Sequence, residues 1–393
     1  MKMMFYSCYP DEYFRSRIER GLYSTQAGQK FHKLLVKGFC ANGIDLDVLF
    51  FFNGEIERDF SCYEHYNNGD VSYKGYLLTG NLVSKSRLRI KKINTFIKEN
   101  KNKGCTHIVI DALNPYSAIV AKQAKKNNIS VITYITDFYD FVEHDNSNLI
   151  GKIKTKILFN LFYKQFNYTD YFILLTDNMK EKIHKTRLQY VVIDGLIDAN
   201  TVIDSSACYK YDKTVFLYTG AICKLFGLEN LVKAFIEANI TDAELHLYGN
   251  GDYVDELKEI CKTNTRIKYF GIVPNEEIAG IQKSASFLIN PRPVSDEYNK
   301  YSFPSKTMEY LLSGVPTITT RLPSIGDEYS EYLNYFSSDD ITGLSESLVK
   351  ICCDDYNALL KKATRAKEFV LREKNNAYQC SKILHMLREN NLG

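Results

Sequence analysis

The chain has 393 residues, 45% hydrophobic and 25% charged, with a formal net charge of only +3, a length that suits two domains able to bury separate cores. Its charge is unevenly placed: 28 Lys/Arg stand against 21 Asp/Glu up to Asn200, and 22 against 26 beyond it. Ten scattered cysteines without a Cys-x-x-Cys pair and seven dispersed histidines exclude a disulfide framework and a metal motif, and no helix-turn-helix, RNP or zinc-finger pattern supports nucleic-acid binding.

Residues 2–8 predict a short apolar strand. A helix opens at Gln26-Ala27-Gly28-Gln29-Lys30, with Phe31, Leu34, Leu35 and Phe39 at helical spacing, and ends at Asn42-Gly43. Residues 46–52 predict the next strand. Strand, glycine loop, helix and strand in this order open a nucleotide-binding type of α/β domain. Asp45-Leu46-Asp47 has the form of an Asp-x-Asp metal motif but stands where a strand begins, so no metal is expected there.

Residues 53–83 are turn-rich and aromatic, and no element is assigned to them. Residues 85–103 hold eight basic residues and one acid, Glu99, around an apolar line of Ile90, Ile93 and Ile97. This predicts a helix with cationic faces, either solvated or turned to an anionic membrane. Residues 107–110 and 130–135 predict strands flanking a helix at 116–126, and Thr136-Asp137 follows the second strand at its carboxyl end, the edge where open parallel sheets bind ligands. Residues 152–166 predict a helix with Lys152, Lys156, Phe159 and Tyr163 on one side, compatible with lipid headgroups or with lysines passing over core residues. Strands at 171–175 and 190–193 complete the first domain.

A strand at 214–219 starts the second domain and Gly220 closes it. Gly227-Leu228 with Leu231, Ala234 and Phe235 predicts a helix after a short loop. Residues 245–248 and 266–270 predict strands, the second followed by Gly271-Ile272-Val273-Pro274, and a helix is expected at 276–283. Residues 287–290 form an apolar strand leading to Pro291-Arg292-Pro293. In Tyr301-Ser302-Phe303-Pro304-Ser305-Lys306-Thr307-Met308-Glu309-Tyr310-Leu311-Leu312-Ser313-Gly314, Ser302 and Ser305 are candidate N-caps, Met308, Leu311 and Leu312 recur at helical spacing, and Gly314 ends the helix. Residues 315–320 predict another strand, the tail from 354 is helical, and the last helix is expected at 374–391. The free amides of a helix start beside Lys306 suit an anion. A carboxylate at Glu309, one turn deeper, can accept hydrogen bonds from vicinal sugar hydroxyls. Together they predict a seat for a nucleoside diphosphate.

That stretch resembles the donor-binding motif of family 4 glycosyltransferases, which have the GT-B fold, in the form common among bacterial surface-polysaccharide transferases. Glu309 matches the second glutamate of the motif and Phe303 its aromatic position; Ser302 and Pro304 stand in the glycine positions, and Tyr301 replaces the first glutamate. The resemblance is dense over residues 214–320 and looser before Asp198, where the turn of residues 193–198 resembles the family's passage between domains. It implies an α/β, GT-B architecture: two facing Rossmann-like domains with parallel sheets and an interdomain cleft, the first at 1–198, the second at 199–373, with residues 374–393 packing back on the first.

It also implies a retaining, metal-independent glycosyltransferase that moves a sugar from a nucleoside-diphosphate sugar, a substrate and not a cofactor, to a glycan or polyprenyl-linked acceptor. No cofactor is implied. Donor-binding positions carried over are Gly220, Gly271, Ile272, Val273, Arg292, Tyr301, Ser305, Lys306 and Glu309. On the acceptor side stand Gly28 and Asp137, whose neighbour Thr136 replaces the family's usual histidine. The family places Arg directly after Gly220 and Lys directly before Gly227; here Ala221 and Phe226 hold those positions, and Lys224 is the only cation of the loop. The catalytic candidates are therefore Lys224 and Lys306, with Asp137 for acceptor positioning or proton transfer. A GT-B epimerase acting on a nucleotide sugar and a nucleotide-sugar-binding protein that has lost catalysis remain open alternatives. The expected place is the cytoplasm, peripheral on the inner, anionic face of the cell membrane, because no run of the chain is apolar over membrane-spanning length and residues 1–10 lack a signal segment.

Overall fold

The computed structural model describes residues 1–10, 13, 17, 27–53, 65–141, 149–200 and 211–389. The chain divides into two compact units, one of Met1–Ala199 with Asn375–Gly393, the other of Asn200–Lys374.

In the first unit, eight strands form one sheet in the order β3-β4-β2-β1-β5-β6-β7-β8. These are β1 (Lys2–Tyr6), β2 (Asp45–Asn53), β3 (His65–Asn68), β4 (Val71–Leu78), β5 (His107–Asp111), β6 (Ser130–Ile135), β7 (Tyr171–Leu174) and β8 (Gln189–Val192). Every neighbouring pair is parallel except β3 with β4. The run Leu46 to Phe52 is buried throughout, the mark of a central strand covered on both faces. Phe5, Phe39, Phe50, Phe52 and Tyr134 fill one side of the sheet, and Tyr6, Phe51, Ile97 and Ile110 the other. The last helix, Asn376–Glu389, lies against the helix Ala27–Ala41: Asn42 Nδ2 donates to the Ala377 carbonyl (2.9 Å) and Asn376 Nδ2 to that of Leu34 (3.2 Å). Asp47 is buried and ion-paired with Lys2 (3.1 Å) and Lys103 (3.7 Å).

The second unit is a six-stranded sheet, parallel throughout, in the order β11-β10-β9-β12-β13-β14. Its strands are β9 (Thr214–Thr219), β10 (Ala243–Tyr248), β11 (Ile267–Gly271), β12 (Phe287–Asn290), β13 (Thr317–Thr319) and β14 (Asn334–Tyr335). Helices Leu228–Ala238, Val254–Thr263, Asn275–Ser284 and Ser305–Ser313 alternate with the strands, and Ile341–Cys353 and Tyr356–Glu373 follow. The order turns outward in both directions from β9 and β12, and such a reversal leaves a crevice at the carboxyl ends of those strands.

Two segments differ from the expectation. Residues 65–78 form β3 and β4, which no period in the sequence betrayed. The helix Ile341–Cys353 begins at Asp340, whose carboxylate accepts from the Gly343 amide (2.7 Å).

Candidate functional site

The carboxyl ends of β9 and β12 lead into Gly220 and into Pro291-Arg292-Pro293. The helix Ser305–Ser313 is pinned over β9 by Tyr310, fully buried, whose hydroxyl accepts the Thr219 amide (3.0 Å). Gln282 Nε2 in turn donates to Thr219 Oγ1 (3.1 Å). Neither predicted serine caps the helix. Ser302 is buried ahead of it, Ser305 is its first residue, and Pro304 stands at the N-cap with no side-chain hydrogen bond. A proline has no side-chain acceptor to offer; the Thr307 amide donates to the Pro304 carbonyl (2.8 Å), and those of Ser305 and Lys306 keep their capacity for an outside anion.

Lys306 folds back from that first turn onto Gly220, which closes β9 with φ at +149°. A side chain on Gly220 would collide with Nζ and Cε of Lys306, so the glycine makes room for the ammonium. Nζ stands 5.3 Å from the Tyr218 ring centroid. Among the described residues it makes no hydrogen bond and meets no carboxylate at ion-pairing distance. Burial, followed by the nearby Arg292 guanidinium, pushes its pKa down to about 8; Glu309, one turn deeper on the helix, and Cys223 oppose the shift. Arg292 follows β12. Its guanidinium lies 4.4 Å over the Phe226 ring, with Nη1 3.5 Å from Asn299 Oδ1. Two cations thus stand within electrostatic reach of each other, and among the described residues no carboxylate bridges them. Asn290 Nδ2, at the end of β12, and Thr307 Oγ1, on the helix, are buried with no hydrogen-bond partner among the described residues. Unmatched buried donors cost about 1–3 kcal/mol each and mark a place where an outside group or water completes the bonding.

Of the expected residues, the structure brings Gly220, Arg292, Lys306 and Glu309 together, with Ser305 at the helix start. Gly271 ends β11 in a left-handed conformation (φ +74°), followed by Ile272, 75% exposed, and half-buried Val273. Lys224 is held otherwise: its exposed ammonium pairs with Glu256 (2.5 Å) and lies 3.8 Å from Glu229. Tyr301 is buried at the end of the helix Glu297–Tyr301, with the Lys300 ammonium 5.3 Å from its ring. Gly28, exposed near the start of Ala27–Ala41, and half-buried Asp137, just after β6, belong to the first unit. The sequence reading missed Phe226 as the support of Arg292, Tyr310 as the anchor, and a polar cluster at the carboxyl ends of β1 and β5. There buried His32 stands 3.5 Å from Asp111 and 3.0 Å from Gln29 Nε2, beside Ser7, a non-glycine residue at φ +76°.

Residues 213–354 match the family model described as glycosyl transferases group 1. The second unit carries a group 1 glycosyl transferase domain. No curated protein matches the chain in sequence. Among solved structures, the chain is similar to sucrose-phosphate synthase of Thermosynechococcus elongatus (13% identity, 100% of this chain and 99% of that one, TM-score 0.64). It is also similar to Anabaena HepE in complex with UDP (11%, 99% and 100%, 0.63) and to a glycosyltransferase of Rickettsia africae (14%, 99% and 98%, 0.62). The fold is GT-B.

In this glycosyl transferase domain the pKa of Lys306 sets a pH dependence. An anion bound at the ammonium favours its charged form. Affinity for an anion held at this ammonium is therefore expected to be full below pH 8 and to fall above it, by up to about tenfold per pH unit, until the raised pKa of the complex is passed. Stability of the free protein moves the other way. A buried lysine whose pKa is depressed from 10.5 to about 8 burdens the fold at low pH and ceases to as pH rises through that window. Calorimetric titration with inorganic pyrophosphate from pH 7 to 9.5 checks the first; a flat affinity contradicts it.

Proposed function

We propose that the protein is a nucleotide-sugar-dependent glycosyltransferase that transfers a sugar with retention to a glycan or polyprenyl-linked acceptor in surface-polysaccharide assembly. One observation carries the reading: Lys306, set against Gly220 at the start of an uncapped helix, stands within electrostatic reach of Arg292, and among the described residues no carboxylate bridges the two. Bringing two cations together costs energy, and an anion of high charge density repays it. In glycosyl transfer that anion is the diphosphate, bound in the ground state and more negative as it leaves.

Lys306, Arg292 and the amides of Ser305 and Lys306 hold the diphosphate and stabilise its charge as the glycosidic bond breaks. With these groups the protein neutralises the leaving group itself, and the reading is metal-independent for that reason. Glu309 accepts the ribose hydroxyls, and the backbone at Gly271, Ile272 and Val273 meets the base. On the acceptor side stand Gly28, Asp137 and the Asp111–His32 pair. Membrane attachment is peripheral, on the anionic cytoplasmic face; among the described residues no helix is long and apolar enough to cross a membrane. The match of residues 213–354 supports the class of reaction, and the structure of HepE was solved with UDP.

A thermal-shift panel of nucleoside diphosphates, monophosphates and inorganic pyrophosphate tests the binding half. One diphosphate raises the melting temperature more than its monophosphate, since a ligand at 100 times its dissociation constant adds about 2.7 kcal/mol. Glu309→Gln lowers the affinity for that nucleotide about tenfold, the scale of one charge-assisted hydrogen bond, and leaves pyrophosphate unchanged. Equal shifts by mono- and diphosphates remove the diphosphate seat; an unaffected Glu309→Gln removes the ribose assignment. A second reading, a binding protein without turnover, is favoured by the loop positions held by Ala221 and Phe226, and donor turnover decides against it.

A further inference from the structure

We propose that Phe226 is a positioning residue for the second diphosphate cation, and that Arg292, carried on its ring, does the work for which the phosphate loop has no residue of its own. The inference rests on the reading of this crevice as a diphosphate seat.

The loop between β9 and the helix Leu228–Ala238 brings one cation, Lys224, and that ammonium is held by Glu256 and Glu229. Arg292 comes instead from the chain leaving β12. Its guanidinium lies 4.4 Å over the face of Phe226, the residue that ends the turn Lys224–Phe226. A guanidinium is planar and weakly hydrated, so it can rest on an aromatic face and keep its N–H edge for an anion.

The backbone on both sides of the pair is fixed. Gly227, at φ +78°, passes so near Pro291 that a side chain there would collide with the Pro291 carbonyl. Thr320 Oγ1 donates to the Arg292 carbonyl (2.5 Å). Fully buried Asn299 offers Oδ1 to Arg292 Nη1 at 3.5 Å, while its own Nδ2 donates to the Pro293 carbonyl (2.8 Å). No carboxylate stands at ion-pairing distance from Arg292 among the described residues. Its direction is therefore set by the Phe226 ring, with the Tyr298 ring farther off at 6.0 Å, by an amide and by two backbone locks, none of which neutralises it. An acid in the same place would orient the guanidinium and cancel its charge. A ring orients it and leaves the charge for the ligand, within electrostatic reach of Lys306.

The plain rival is that Phe226 only fills space beside the core of the second unit, against which it packs. The two readings part on coupling. Inorganic pyrophosphate is titrated calorimetrically into the full-length protein and the variants Phe226→Leu, Phe226→Tyr, Arg292→Met and the double variant Phe226→Leu/Arg292→Met, with Lys306→Met as the control for the site itself. Phe226→Leu and Arg292→Met each weaken binding about tenfold, the double variant binds like Arg292→Met alone, and Phe226→Tyr keeps wild-type affinity. Phe226→Lys in the Arg292→Met background restores binding by returning a cation to the loop, and this arm decides should Phe226→Leu not fold. Wild-type affinity in Phe226→Leu, or losses that multiply in the double variant, overturn the proposal while the seat stands on the Lys306→Met result. Absence of pyrophosphate binding to the wild-type protein overturns both.

Discussion

Lys306→Met lowers donor turnover by two to three orders of magnitude and leaves the protein folded. The ammonium is set against Gly220 and, among the described residues, is paired with no carboxylate, so on the proposed reading its charge serves the leaving diphosphate. Loss of one well-placed donor to a developing oxyanion costs about 10²–10³ in rate, and the loss of a full charge falls at the upper end of that range. Methionine keeps the apolar stem and its packing. Removing a charge that burial disfavours, as its pKa near 8 records, leaves the melting temperature at pH 7 unchanged or higher.

Gly220→Ala reaches the same end with the lysine intact. The new methyl group collides with the tip of a flexible side chain, so the ammonium yields and the sheet holds. The left-handed backbone at φ +149° adds strain of roughly 1–3 kcal/mol. Both variants are assayed for donor turnover and for thermal unfolding. Near-normal turnover in Lys306→Met places the diphosphate elsewhere.

The protein sediments with anionic vesicles and not with neutral ones, and replacing Lys152, Lys154 and Lys156 together by glutamine lowers that binding about a hundredfold. On the helix Leu149–Lys164, Ile153 (53% exposed), Ile157 (53%) and Phe159 (41%) stand out between exposed lysines. Large apolar side chains raised among lysines are the pattern of a helix that lies in a lipid headgroup layer. The helix Leu82–Asn102 repeats it at its start, where Leu82 (83%) and Val83 (59%) are exposed ahead of Lys85 and Arg87. Each lysine near an anionic surface is worth about 1 kcal/mol, and three give the stated factor. Salt shortens the reach of that attraction, so binding falls between 0.05 and 0.5 M sodium chloride. Equal sedimentation with neutral and anionic vesicles at low salt contradicts the docking reading.

Much of this architecture was legible because parallel strands buried on both faces read as unbroken apolar runs. Leu46 to Phe52, Ile108 to Ile110 and Phe287 to Ile289 are such runs, and all lie in central strands. The donor helix was legible from its own residues, from the spacing of Met308, Leu311 and Leu312 to the closing Gly314. Its start was not. Pro304 reaches the N-cap position with both serines displaced, because serine favours a cap without compelling one. The strands at 65–78 were hidden because β4, between β2 and β3, carries polar and small residues such as Ser72, Lys74 and Gly75 among its buried ones, while β3 is an antiparallel edge. Lys224 was expected at the diphosphate because it lies in the right loop. Its nearest partner, Glu256, lies on the helix Val254–Thr263, a tertiary contact that spacing does not announce. The contact of Phe226 with Arg292 was hidden for the same reason. Only the absence of the expected loop cation hinted that charge had to come from elsewhere.

The most direct test of glycosyl transfer is turnover of a panel of nucleoside-diphosphate sugars without acceptor, followed by NMR for free nucleoside diphosphate and for the anomer of the released sugar. A transferase deprived of its acceptor passes the sugar slowly to water, whereas a binding protein leaves the donor whole. The account predicts release from one donor, initial formation of the sugar with the donor's anomeric configuration, and loss of that release in Lys306→Met. A donor that binds and stays intact over days, or is converted to an isomeric nucleotide sugar without release, contradicts it.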